Sequence, residues 1–213
     1  MSKISWPYAL LAALLCAAAW PARATDVAAF DAAFQQFQRA AAGDKGAIEP
    51  AAQQFGSLSA AEPADPVLLA YAGAATSMRA TTTWLPWKKM SFAEDGLAQL
   101  DKALAMLAPA HEQPLHRGTP ATLETRFVAA NTFLALPSMF NRQPRGAKLL
   151  DELLASPQLA AAPLGFRGAV WLRAGVAALN DKRTDDARRW FQQVISSGAP
   201  QAPAAQAKLK ELS

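Results

Sequence analysis

Residues 171–200 read WLRAGVAALNDKRTDDARRWFQQVISSGAP, and a few side chains in this stretch decide the fold. Trp171, Ala174 and Ala178 recur at helical spacing, with Gly175 beside them, and Ala187 and Phe191 lie one turn apart in a second helical segment. Thr184-Asp185-Asp186 places a capping side chain and two anions at the positive end of that segment, which reaches to about Ser197. Pro200 closes the unit. Small residues at Gly175 and Ala187 allow two antiparallel helices to cross closely, while Trp171 and Phe191 fill the space beside the crossing.

This pattern, Trp171-x2-Ala174-Gly175-x2-Ala178, Ala187-x3-Phe191, Pro200, resembles the tetratricopeptide repeat (TPR), W-x2-L-G-x2-Y, A-x3-F, P, whose period is about 34 residues. Alanine stands at both the leucine and the tyrosine position. Two earlier stretches look like worn copies. Leu69-x2-Ala72-Gly73 is followed by Gly96-x3-Leu100-x2-Ala103 and Pro109; Phe127-x2-Ala130-Asn131 is followed by Gly146-x3-Leu150-x2-Leu153 and Pro157. The gap between small crossing residues grows from 12 positions in the last unit to 23 in the first and 15 in the second, so the hairpin loops are the lengthened parts.

The resemblance covers about Asp65 to Ser213 and implies an all-α chain of antiparallel hairpins, stacked as a short right-handed TPR-like solenoid. The hairpins fall at roughly 26–60, 65–108, 119–156 and 164–198, with a solvating cap helix at 202–213. Local signals agree. Val27, Phe30, Phe34, Phe37 and Ala41 form an amphipathic stripe ended by Gly43, and Phe55 and Leu58 mark a second helix. Asp65-Pro66 is a helix start. Ser91-Phe92-Ala93-Glu94 has capping-box spacing, and Thr119-Pro120 opens a further helix. About nine helices and no strand are expected.

Residues 1–24 read as an address rather than as fold. Lys3 precedes an apolar run from Tyr8 to Trp20, and Pro21-Ala22-Arg23-Ala24 offers a small-residue cleavage site. The run is shorter than the roughly 20 residues that cross a bilayer as a helix. The expected mature chain, 25–213, is one domain, periplasmic or secreted, cut near Ala24. It loses the only cysteine, Cys16, so no disulfide supports it. Loss of Lys3 and Arg23 leaves 19 bases against 17 acids, a balance too mild for a nucleic-acid surface.

Little in the chain suggests catalysis. His111 and His116, with Glu112, share a breaker-rich loop and read as solvated loop histidines rather than as metal ligands. No nucleophile elbow, phosphate loop or dinucleotide fingerprint is present, and Glu94-Asp95 and Asp185-Asp186 read as first-turn acids. The expectation is a non-enzymatic chain that needs no cofactor or metal and works by binding a protein.

Trp84-Leu85-Pro86-Trp87-Lys88-Lys89, in an extended hairpin loop, is the first candidate surface, for a partner protein or for peripheral membrane contact; the other reading is that the tryptophans fold back to cover the ends of neighbouring helices and leave only the lysines wet. The loop carrying Phe140 and Arg142 is expected on the same edge. From the resemblance, Ala169, Leu172, Val176 and Leu179 of the last unit face the concave side, either as a groove that is apolar and free of basic residues, suited to an apolar segment over an acidic tail, or as core over which the short superhelix closes. Arg79, Arg126 and Arg173 read as solvated. An adaptor in the cell envelope is the primary reading, a carrier of a small apolar ligand or lipid the alternative, and a metal-dependent hydrolase a remote third.

Overall fold

The computed structural model describes residues 27–212. They form ten α-helices: α1 Val27–Ala41, α2 Ile48–Ala61, α3 Pro66–Met78, α4 Pro86–Ala105, α5 Ala121–Ala135, α6 Gln143–Ala155, α7 Pro157–Ala161, α8 Leu164–Asn180, α9 Thr184–Ser196 and α10 Ala202–Lys210. The described residues are all-α apart from one small antiparallel hairpin, β1 Pro114–His116 and β2 Thr119–Pro120. The expected leader, with Lys3, Cys16 and Ala24, lies outside the described residues. No described helix is long and apolar enough to cross a membrane.

Neighbours in sequence pack as neighbours in space. α1 lies on α2, α3 on α4, α5 on α6, and α8 on both α9 and, more lightly, α6; α10 covers α9. α3 also packs against α2 and α5 and so joins the first hairpin to the third. An aromatic cluster cements that junction. Tyr71 of α3 stacks on Phe55 of α2 with ring centroids 4.8 Å apart, and takes the edges of Phe34 and Phe37 from α1. Burial of rings of this size stabilises the fold by roughly 1.5–3 kcal/mol each.

The crossings depend on missing side chains. A Cβ at Gly73 would sit 2.8 Å from the Gly96 carbonyl oxygen, and one at Gly175 would sit 2.4 Å from the Phe191 ring. Phe191 therefore occupies the α8–α9 crossing itself instead of the space beside it. In the α5–α6 pair, Gly146 faces Phe133 and Leu134, one turn beyond the Asn131 position that the spacing suggests.

Several boundaries differ from those read in the sequence. α4 begins at Pro86, since proline fits a first helical turn, and Trp87, Lys88 and Lys89 are helical instead of loop. The Ser91 capping box is thus internal, and the Ser91 hydroxyl bonds Asp95 instead. Thr119 and Pro120 pair in β2, so α5 starts at Ala121. Pro157 opens the short α7, which carried no periodicity of its own.

Candidate functional site

The turn of the β-hairpin is Arg117-Gly118, with φ of 49° and 68°. Left-handed backbone at both central residues matches the strand twist of a tight hairpin, and it strains arginine, which lacks glycine's freedom. This geometry swings the hairpin back onto the helices. His116 stacks on Phe30 of α1 with centroids 4.2 Å apart and planes 6° from parallel, and its Nε2 lies 2.7 Å from Asp65 Oδ2. Asp65 also caps α3, its Oδ1 accepting from the amides of Val67 and Leu68. One buried carboxylate therefore starts a helix and fastens a hairpin. The expectation of a solvated His116 is corrected: the aromatic face of α1 removes its ring from water. His111 stays local, its Nδ1 accepting from the Ala108 amide, and the two histidines do not converge.

Beside this fastening, the Tyr71 hydroxyl donates to Glu124 Oε1 at 2.9 Å. Burial pushes the Glu124 carboxyl above the usual carboxylate range, against the opposing pull of Arg117, of the Tyr71 hydrogen bond and of His116. Burial likewise raises the Tyr71 phenol well above its ordinary value. Since folding raises the carboxyl's pKa, the destabilising contribution is absent below the unfolded value, about 4.3, grows as pH climbs toward the folded value, and is complete above it. Glu124→Gln keeps an oxygen acceptor for Tyr71 and removes the titration. Its stability relative to the parent should therefore rise between about pH 4 and about pH 8, measured by urea unfolding at each. A pH-independent difference would exclude this cause.

Tyr71 and Arg117 also line an open groove of about 590 Å³, walled by α1, α3, α5 and α8. Phe34, Phe37, Phe127, Val128, Phe166 and Leu172 give it an apolar lining. Of the four residues expected there, Ala169, Leu172 and Val176 line it, whereas Leu179 packs with the cluster around Ala178 and Phe191. The expectation of a groove without bases is corrected, because Arg117 and Arg173 both line it. The Arg117 guanidinium lies 3.6 Å over the Phe34 ring. Arg173 is half-buried, donates to the Asn131 carbonyl oxygen at 3.3 Å, and leaves its Nε without a partner. Burial lowers its pKa below the usual arginine value.

Elsewhere, Arg79 pairs with Glu49 at 2.9 Å and covers the Phe92 ring, so it is not simply solvated.

The second candidate surface lies at the tip of the α3–α4 hairpin. Trp84 is 82% exposed and Trp87 66%, with Lys88 and Lys89 exposed beside them. Among the described residues neither lysine makes an ion pair. The neighbouring loop contributes less than its composition suggests. Phe140 packs against the core, and Arg142 is held 2.9 Å from Asp101, which also takes Arg145. Exposed Met139 is the apolar side chain that this loop presents.

Arg173 was expected to be solvated and is half-buried instead, while Arg117 drew no reading because it stands in no motif; its one available signal was Arg117-Gly118, a dipeptide suited to a tight turn only at a cost in strain. Set beside protein-family models, curated proteins and solved structures, the chain matches none of them.

Proposed function

We propose that this chain is an exported adaptor, a TPR-like stack of helical hairpins that holds a protein partner in the cell envelope through the tip of the α3–α4 hairpin. The observation that carries the reading is the exposure of Trp84 and Trp87 together, next to two unpaired lysines. Isolated surface apolar residues are ordinary, but two neighbouring exposed tryptophans leave large aromatic area in water, and tryptophan is the side chain that most often dominates protein interfaces. Lys88 and Lys89 add attraction for an acidic rim around the pocket that receives the rings. The glycine crossings at Gly73, Gly96 and Gly175 support the stacked-hairpin reading, and the apolar run with its small-residue cut site supports export.

The test is a photoreactive side chain at position 87, activated in intact envelope. One protein species should be captured, and capture should vanish with Trp84→Ala. For that species purified, Trp84→Ala should weaken binding at least about 30-fold, while Lys88→Ala should chiefly reduce its dependence on salt. Capture of lipid alone, or binding indifferent to Trp84, would refute the adaptor reading.

A further inference from the structure

The groove between α1, α3, α5 and α8 contains no carboxylate in its lining and two guanidinium groups, Arg117 and Arg173. Neither makes an ion pair with any described residue. A half-buried guanidinium with an unpartnered Nε is costly unless an anion joins it. The Glu124 carboxyl feels the charge of Arg117, but burial opposes its ionised form. Arg117 is moreover held in a strained left-handed turn position, where asparagine would fit better. The chain thus keeps Arg117 over an aromatic ring and Arg173 half-buried, neither of them paired with an acid.

The remaining polar groups select the rest of the ligand. The hydroxyls of Ser77, Thr81 and Thr132 are bonded to carbonyls in their own helices, Gly73, Met78 and Val128, and Gln201 Nε2 is bonded to Gly165. The hydroxyl protons are thus already committed within the protein. What remains is largely apolar surface of a size suited to a small molecule, with Gln38, Asn131 and the unpartnered Gln201 Oε1 as further polar groups.

We propose that this groove binds a single-chain amphiphile, with the hydrocarbon against Phe37, Phe127 and Phe166 and an anionic head, a carboxylate in the simplest case, drawn by the positive charge that Arg117 and Arg173 give the lining. The site is separate from the tryptophan tip, and either can fail alone.

Calorimetric titration of the purified protein with dodecanoate, dodecan-1-ol and dodecyltrimethylammonium, all below micelle formation, tests this. Dodecanoate should bind at one site, with the alcohol at least tenfold weaker and the ammonium weaker still. Arg117→Asn should stay folded, because the gain of Asn-Gly in this turn offsets the lost contact with the Phe34 ring. It should nevertheless weaken dodecanoate about tenfold and leave the alcohol unchanged. Arg173→Met should act the same way, and Ala169→Phe should reduce binding of both by filling the groove. Equal affinity for the three probes, undiminished dodecanoate binding in the double arginine variant, no binding at all, or preferential uptake of an apolar peptide would each overturn the proposal.

Discussion

Gly96→Ala should destabilise the fold by about 3 kcal/mol or more. The added methyl would lie 2.1 Å from the Ser77 hydroxyl oxygen, 2.4 Å from the Gly73 carbonyl oxygen and 2.7 Å from the Ser77 amide nitrogen. The hydroxyl can rotate away, but the other two atoms belong to the α3 backbone. Relief then requires α3 and α4 to separate, and α3 is also bound to α2 and α5. In a chain of this size such a loss lowers the melting temperature by roughly 10 °C. Gly56→Ala, in the interior of α2 where an added Cβ meets nothing within 4 Å, should do the reverse and stabilise by about 0.5–1 kcal/mol. Thermal unfolding of both variants separates the steric cause from helix propensity. An unchanged Gly96→Ala would mean that the α3–α4 crossing is looser than described.

Asp65→Ala should cost about 3 kcal/mol, the sum of a lost helix cap at about 1 kcal/mol and a lost buried, charge-assisted bond to His116 at about 2 kcal/mol. Asp65→Asn keeps an oxygen for the Val67 and Leu68 amides and should lose chiefly the His116 part. Hydrogen exchange should show the difference in place. In Asp65→Asn, protection should fall in residues 109–120 and persist in α3; in Asp65→Ala it should fall in both. Equal losses in the two variants would show that the cap dominates and that the hairpin is held mainly by the stacking of His116 on Phe30.

Much of the helical architecture was readable along the chain, because helix periodicity and breakers are local. Phe30, Phe34 and Phe37 repeat at the spacing of one helix face, Asp65-Pro66 is a start signal complete within two residues, and Gly73 and Gly96 really do meet. At α4 the Ser91 capping box was read as the start and Pro86 as part of a loop, whereas the helix opens at Pro86, where proline suits a first turn. That choice carried Trp87, Lys88 and Lys89 from a loop onto a helix.

The candidate sites depended on contacts that no local spacing encodes. His116 meets Asp65 across 51 positions and Tyr71 meets Glu124 across 53. Such pairs exist only once α1, α3 and α5 have packed, so nothing next to either residue announces them. Arg173 shows the same limit from the opposite side: its own helix offers apolar neighbours, and its place in the groove is set by α5 through the Asn131 carbonyl. Helix positions followed from residue spacing, a property of the chain alone. Which polar groups lost their water, and which were left facing a shared groove, was decided only when the helices closed around them.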